Sequence, residues 1–130
     1  MKKILIVDDL EEVRQLLTTT LARSKYQILT ARNGLLAVEM ARKQQPDLII
    51  MDIVMPGTID GLEATRILKR DPQTGACPII ILTGNNLYGD MGTALDAGAD
   101  KYFTKPFSPL KLIEEVEGLL GKVRDNDNTA

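Results

Sequence analysis

The chain has 130 residues, enough for one domain that buries about two-thirds of the surface its unfolded form exposes. Hydrophobic residues make up 44 % and charged residues 26 %, which excludes a disordered or membrane-embedded chain, and a net charge of −2 gives no general basic surface for nucleic acid. The sequence has no histidine, which excludes a Ser-His-Asp triad, an imidazole zinc site and a phosphohistidine, and its single cysteine, Cys77, excludes an internal disulfide.

Short apolar runs recur along the chain and predict five strands. Each run is apolar almost without alternation, as is typical of parallel sheets that are covered on both faces. The predicted strands are Lys3–Val7, Tyr26–Ala31, Asp47–Met51, Pro78–Leu82 and Lys101–Phe103.

Helical spacing of apolar residues marks the segments between and after these strands. The four clearer stripes comprise Val13, Leu16, Leu17 and Leu21; Leu36, Val38 and Met40 with Ala37 and Ala41; Leu62, Thr65, Ile67 and Leu68; and Ile113, Val116, Leu119 and Leu120. Ser108 and Pro109 form a good N-cap and first-turn pair for the last helix.

The fourth helix is the weakest of the five predictions. Gly84, Gly89 and Gly92 lie in or next to this segment, and each interior glycine costs about 1 kcal/mol relative to alanine. We therefore expect a short helix from about Leu87 to Ala97. Residues 1–122 are predicted to form the domain, and residues 123–130 a polar C-terminal tail.

Alternating strands and helices predict an α/β fold of five βα units. Such units give a parallel sheet with helices on both faces and right-handed crossovers. Open sheets of this kind bind ligands beyond the carboxyl ends of their strands, so the residues found there are the first candidates for a functional site.

Five polar residues follow the predicted strands at that edge. They are Asp8, Asp9, Asp52, Thr83 and Lys105. Taken singly, each has an ordinary structural role open to it, since Asp9 can serve as a helix N-cap and Lys105 as a solvated surface charge. Together they form a chemically coherent set at one edge of one sheet.

Three carboxylates brought together raise one another's pKa unless a cation neutralises them. Mg²⁺ suits this role because it prefers oxygen ligands and keeps several waters. Asp8 and Asp9 are an adjacent pair suited to holding the ion, and the backbone carbonyl of Val54, in the turn before Pro56, can supply a further ligand.

The same set is suited to receive a phosphoryl group on a carboxylate. Asp52 stands alone at the end of the central strand and is the expected acceptor, while Lys105 and the metal neutralise charge on the transferring oxygens. Thr83 adds a neutral hydroxyl donor.

With this set of residues, the chain resembles a response-regulator receiver domain of the single-domain chemotaxis type. The resemblance runs from about Lys2 to Gly121 and rests on the segments "ILIVDD", "DLIIMDIVMPG", "DGLEATRILK", "PIIILTG" and "GADKYFTKPF". It implies a flavodoxin-like sheet of strand order 2-1-3-4-5.

The resemblance also implies a role for each candidate residue. Asp52 is the phosphorylated residue, and Mg²⁺ is held by Asp8, Asp9, Asp52 and the carbonyl of Val54. Lys105 binds the phosphoryl group and Thr83 moves toward it. Tyr102 matches the aromatic switch that turns inward when the hydroxyl moves, although packing of an aromatic side chain at the sheet edge accounts for its position equally well.

The segment "MPGTIDG" departs from the family pattern. The family has one residue between the proline and the apolar-Asp-Gly triplet, whereas this chain has Gly57 and Thr58, an insertion of one residue. The insertion lies downstream of Asp52 and Val54, so we expect it to leave the metal site intact and to reshape a rim that partners contact.

The resemblance implies that the phosphoryl group comes from a histidine kinase or a histidine phosphotransfer protein. We expect the output to be a contact with another protein through the face formed by helix 4, strand 5 and helix 5, without direct contact to nucleic acid. The longest apolar runs are far shorter than the ~20 residues of a membrane-spanning helix. We therefore expect a cytoplasmic protein, monomeric or weakly dimeric, that makes no membrane contact.

Three other classes compete with this interpretation. A phosphatase of the haloacid dehalogenase type also uses an aspartate nucleophile and Mg²⁺, but it needs an Asp-x-Asp motif where this chain has Asp52 and Val54. A flavodoxin would place its phosphate after the first strand, where Asp8 and Asp9 repel it. A pseudo-receiver, which has the fold but is never phosphorylated, is disfavoured by the complete set of five residues.

Overall fold

The computed structural model describes residues 1–22, 26–84 and 91–121, in which strands and helices alternate. The strands are β1 (Lys2–Val7), β2 (Tyr26–Ala31), β3 (Leu48–Met51), β4 (Ile79–Thr83) and β5 (Lys101–Thr104). The helices are α1 (Glu11–Leu21), α2 (Gly34–Gln44), α3 (Gly61–Arg70), α4 (Met91–Asp96) and α5 (Pro109–Leu120).

The five strands form one parallel sheet in the order β2-β1-β3-β4-β5. This order confirms the predicted flavodoxin-like α/β fold. It places β1 and β3 side by side at the centre, although 40 residues separate the end of one from the start of the other along the chain.

Two apolar layers cover the two faces of the sheet, because successive residues of a strand point to opposite sides. On one face, Leu5, Ile49 and Ile81 pack with residues of α2, α3 and α4. On the other face, Ile4 and Ile50 pack with residues of α1 and α5. Helices therefore cover both faces, which is why the strands read as continuous apolar runs.

The predicted element boundaries agree with the structure to within one residue for all five strands. β2 has the predicted limits, whereas β3 begins at Leu48 rather than Asp47. The fourth helix is short, as expected, and its described part covers Met91–Asp96. Its predicted start, residues 87–90, and the predicted tail, residues 123–130, lie outside the described residues.

The helical stripes were predicted less well than the strands. Leu16 was assigned to the apolar face of α1, but it is 53 % exposed and only Leu17 and Leu21 of that stripe are fully buried. In α5 the fully buried residues are Val116, which was predicted, and Leu112, which was not. A helix rotates 100° per residue, so a shift of one position moves a side chain from the core to the solvent.

Side-chain caps begin three of the helices. Their oxygens accept hydrogen bonds from backbone N–H groups in the first turn, with the pairs Asn33 and Leu36, Asp60 and Glu63, and Ser108 and Lys111. Ser108 and Pro109 thus start α5 as predicted. Across the described ranges, none of the helices combines the length and apolarity needed to span a bilayer.

Candidate functional site

The candidate residues converge at the edge of the sheet where the strands end, which we call the carboxyl edge. Val7 of β1 pairs with Met51 of β3, so the next residues, Asp8 and Asp52, emerge side by side. The ladder continues past the strands, because the N–H of Asp52 donates to the carbonyl of Val7 at 2.9 Å. The strand order therefore places these two carboxylates next to each other.

Asp8, Asp9 and Asp52 form an acidic cluster. Each offers one carboxylate oxygen, and these three atoms all lie within 4.8 Å of one another. Asp8 is 1 % exposed and Asp52 is 7 % exposed, whereas Asp9 is more accessible. Three oxygens converging from a buried base toward solvent fit a hard divalent cation that keeps part of its water shell.

Lys105 lies among these carboxylates. Its Nζ is 2.8 Å from Oδ2 of Asp8 and 3.8 Å from Oδ2 of Asp52, and its side chain is 22 % exposed. The backbone N–H of Lys105 donates to the carbonyl of Thr83 at 2.9 Å, which ties the residue to the end of β4. The peptide bond between Lys105 and Pro106 is cis. The alternative that Lys105 is a solvated surface charge is therefore wrong.

The environment of Asp52 disfavours its charge. Burial, the largest cause, together with the neighbouring carboxylates of Asp8 and Asp9 raises the pKa of this carboxyl to about 6, against the lowering effects of Lys105 and of the N–H of Ile53. Lys105 thus compensates the acidic cluster only in part. An added cation among the three carboxylates would favour the ionised form of Asp52.

The alternative that Asp9 serves only as the N-cap of α1 is also wrong. The N-cap residue is Leu10, and no side chain caps this helix by a hydrogen bond. Instead, the N–H of Leu10 donates to Oδ1 of Asp8 at 3.0 Å. The carboxylate of Asp9 is left to contribute to the acidic cluster.

Thr83 and Tyr102 lie on the neighbouring strands β4 and β5. Thr83 is the last residue of β4, is 1 % exposed, and pairs with Thr104 of β5. Tyr102 pairs with Ile81 and is partly buried against the core on the side of α2, α3 and α4. Sequence reasoning placed Thr83 after its strand, whereas the structure includes it as the final strand residue.

The loop after β3 forms one rim of the site. Val54, the expected source of a backbone ligand, lies two residues past Asp52 and its side chain is 53 % exposed. Gly57 adopts a φ of 116°, a conformation that L side chains rarely adopt. Beyond the inserted residue the chain returns to the core, because Ile59 packs against the same apolar layer as Tyr102.

Gly61 packs against the backbone of Asp52, a role that was not predicted from the sequence. The first turn of α3 approaches the backbone of Asp52 so closely that a Cβ on Gly61 would overlap the carbonyl oxygen of Asp52. The N–H of Gly61 also donates to the carbonyl of Ile53 at 2.9 Å. The signals in the sequence are the apolar-Asp-Gly triplet of the family pattern and a glycine that follows directly on an N-cap, Asp60.

Comparison with known proteins gives a consistent family assignment. Residues 4–117 match a family model described as "Response regulator receiver domain". The protein PilH of Pseudomonas aeruginosa is 40 % identical over 120 residues, which cover 92 % of this chain and 98 % of PilH. The phosphate regulon transcriptional regulatory protein PhoB of the same species is 39 % identical over 129 residues, but the chain spans only about half of its length, 56 %.

Solved structures agree with this assignment. The receiver domain of the sensor histidine kinase PA1611 from Pseudomonas aeruginosa superposes with a TM-score of 0.84 at 32 % identity. The match covers 93 % of this chain and 98 % of that domain, which was solved with a magnesium ion coordinated in its active-site cleft.

Proposed function

The chain belongs to the response-regulator receiver family of two-component signalling, and we propose that it is a phosphoacceptor whose Asp52 is phosphorylated in a Mg²⁺-dependent reaction. One observation carries the proposal: Asp8, Asp9, Asp52 and Lys105 meet at the carboxyl edge, where Asp52 is buried among like charges that one lysine only partly balances. Such a site is poised to take up a cation and an anionic group together.

The proposed metal ligands are Asp8, Asp9, Asp52 and the backbone carbonyl of Val54. The fit rests on the donor set, since the three carboxylate oxygens within 4.8 Å of one another are the hard ligands that Mg²⁺ prefers. When bound, Mg²⁺ neutralises charge on the carboxylates and on the oxygens of the transferring phosphoryl group.

In the proposed reaction, a carboxylate oxygen of Asp52 attacks the phosphorus of the donor. A P–O bond forms to give an acyl phosphate, and the bond between phosphorus and the donor's nitrogen or oxygen breaks, so that the donor leaves with the electron pair of that bond. Lys105 is placed to share the negative charge of the phosphoryl oxygens, because its Nζ already lies 3.8 Å from Oδ2 of Asp52.

We propose that the phosphorylated state is sensed by Thr83 and Tyr102. The backbone N–H of Lys105, in the loop after β5, donates to the carbonyl of Thr83 at the end of β4. A movement of Lys105 at the phosphoryl site is therefore passed on to Thr83. Tyr102 lies in β5 on the face that α4 also covers. The proposed output is a change in the protein-interaction face formed by α4, β5 and α5.

The proposed phosphodonor is a histidine kinase or a histidine phosphotransfer protein, and the proposed location is the cytoplasm. We propose that the chain acts as a monomer or weak dimer and not as a turnover enzyme. Its chemistry is limited to self-phosphorylation from a donor and slow self-dephosphorylation. A downstream protein, and not nucleic acid or a membrane, is the proposed target.

Acetyl phosphate provides a direct test. The wild-type chain incubated with Mg²⁺ and acetyl phosphate should gain the mass of one phosphoryl group, and Asp52→Asn should not. Omission of Mg²⁺ should abolish the gain. An unmodified wild type would refute the proposal and indicate a pseudo-receiver. Continuous hydrolysis of many phosphate esters would instead indicate a phosphatase of the haloacid dehalogenase type.

A further inference from the structure

A hydrogen bond from α1 holds the end of β1. Nη1 of Arg14 donates to the backbone carbonyl of Asp8 at 2.7 Å, across six residues. The helix lacks the side-chain cap that begins α2, α3 and α5, since its N-cap is Leu10 with no side-chain hydrogen bond. The contact from Arg14 is therefore a side-chain bond that ties the first turns of α1 to the strand before it.

This contact completes the hydrogen bonding of Asp8. The N–H of Asp8 donates to the carbonyl of Ala31 at 3.2 Å, and its Oδ1 and Oδ2 accept from Leu10 at 3.0 Å and from Lys105 at 2.8 Å. The carbonyl that Arg14 binds belongs to the planar peptide joining Asp8 to Asp9. Fixing that carbonyl therefore fixes the direction in which the backbone leaves toward Asp9.

We propose that Arg14 is a positioning residue for Mg²⁺. It holds the peptide between Asp8 and Asp9 so that both carboxylates face the same ion together with Asp52. The inference rests on the proposed function, because it concerns the same acidic cluster. The proposed role is exerted through the backbone of Asp8, whose carbonyl accepts from Nη1 of Arg14.

The positive charge of Arg14 and its hydrogen bond to Asp8 have opposite effects on the affinity for Mg²⁺. A guanidinium close to the acidic cluster repels a second cation, so loss of its charge alone would tighten Mg²⁺ binding. Loss of the hydrogen bond would free the peptide and weaken binding. Arg14 and Glu11 line an open cleft of about 420 Å³. Water and salt in an open cleft screen the field of a guanidinium. The positioning effect is therefore the larger one.

Mg²⁺ titration by calorimetry on the full chain tests the inference. Arg14→Gln should bind Mg²⁺ about tenfold more weakly than wild type, as is usual when a group that orients a metal ligand is lost. Arg14→Lys, which keeps a charged donor, should restore most of the affinity. Arg42→Gln is the matched control, because Nε of Arg42 makes a 2.8 Å bond to Asp71 at the opposite edge of the sheet and should leave Mg²⁺ affinity unchanged.

A second readout separates positioning from general destabilisation. In Mg²⁺-free protein, the amide NMR signals of Asp9 and Leu10 should shift in Arg14→Gln, while urea unfolding of each variant reports stability. If Arg14→Gln does not fold, Arg14→Met, which keeps most of the aliphatic stem, takes its place with the same expectation.

The outcomes distinguish the inference from the proposed function. Equal or tighter Mg²⁺ binding by the Arg14 variants, with normal binding by wild type, would overturn the positioning role and leave the proposed function intact. A wild type that neither binds Mg²⁺ nor becomes phosphorylated would overturn both.

Discussion

Acidic side chains lie at both edges of the sheet, but their surroundings differ. At the amino edge, where the strands begin, Oδ2 of Asp47 accepts from the N–H of Lys3 at 2.8 Å. There too, Oδ2 of Asp100 accepts from the N–H of Ile79 at 2.8 Å and from Nζ of Lys69 at 3.0 Å. At the carboxyl edge, Asp8, Asp9 and Asp52 lie together, and Lys105 pairs with Asp8 and Asp52.

The acidic side chains of the amino edge stabilise the fold, whereas those of the carboxyl edge form the candidate functional site. At the amino edge each carboxylate accepts backbone N–H groups that begin strands, so charge and hydrogen bonding support the fold. At the carboxyl edge the carboxylates oppose one another, and the pKa of Asp52 is raised to about 6 by burial and by Asp8. The fold tolerates this repulsion, which a cation bound among the three carboxylates would relieve.

The largest expected contrast in phosphorylation rate is between Lys105 at the carboxyl edge and Lys69 at the amino edge, both partly buried. Lys105→Ala should slow phosphorylation from acetyl phosphate by about 100-fold, because a preorganised cation at the transferring oxygens is lost. Lys69→Ala should leave the rate unchanged, since Nζ of Lys69 bonds only to the carbonyl of Cys77 and to Asp100 among the described contacts. A time course by intact-protein mass spectrometry measures both, and equal slowing would contradict the division between the edges.

Substitution of Asp100 should have the largest effect on stability. Asp100→Ala is expected to lower the free energy of unfolding by about 3 kcal/mol, because it leaves the N–H of Ile79 without its acceptor and removes one of the two acceptors of the Lys69 ammonium. Asp100→Asn keeps an acceptor for Ile79 and should lose about 1 kcal/mol. Urea unfolding measures the change. If Asp100→Ala has the same free energy of unfolding as the wild type, the hydrogen bonds of Asp100 at the amino edge do not stabilise the fold.

Asp52→Asn should stabilise the protein in the absence of divalent cations. The pKa of this carboxyl is 3.8 in the reference state and about 6 in the folded protein, so between these values the folded state binds more protons than the unfolded state. Wild-type stability therefore falls as pH rises through this window. Asp52→Asn, which lacks the titration, should be more stable by about 2 kcal/mol above the window and show no such advantage below it.

The measurement is urea unfolding of both proteins over a pH series, repeated with Mg²⁺. Added Mg²⁺ should stabilise the wild type more than Asp52→Asn and so reduce the difference. A wild type that is the more stable protein at neutral pH without divalent cations would mean that the acidic cluster is not under repulsion.

The smallest expected effect lies in the rim of the carboxyl edge. A Cβ on Gly57 would meet nothing within 4 Å, but its φ of 116° strains any L residue. Gly57→Ala should therefore lower the free energy of unfolding by about 1 kcal/mol through backbone strain alone. Thr58→Ala, at the exposed neighbouring position, is the control. Phosphorylation by acetyl phosphate should be unchanged in both, and a loss of phosphorylation in Gly57→Ala would show that the inserted loop shapes the acceptor site.

Local patterns predicted the elements well where burial is continuous. All strands were found within one residue, because a short uninterrupted apolar run bounded by polar residues is typical of a strand covered on both faces. The buried faces of the helices were predicted less well, and Leu16, assigned to the buried face of α1, is exposed. Three or four apolar positions fix the orientation of a buried stripe only to within the 100° that separates one residue from the next. The alternative role of Asp9 as the N-cap of α1 could not be excluded from the sequence, because an aspartate beside a helix start has the same sequence signature whether it caps the helix or faces a ligand.

The sequence by itself determined the order of elements, the α/β class and the set of polar residues at the carboxyl edge, because these depend on short-range periodicity and on where each apolar run stops. The strand order was implied by the resemblance to receiver domains. The contacts that make the set a site depend on strand pairing. Lys105 reaches Asp8 across 97 residues, and Gly61 lies against the backbone of Asp52. Arg14 bonds to a carbonyl whose position is set by the register of β1. Those distances follow from packing of the whole domain, and no local pattern encodes them.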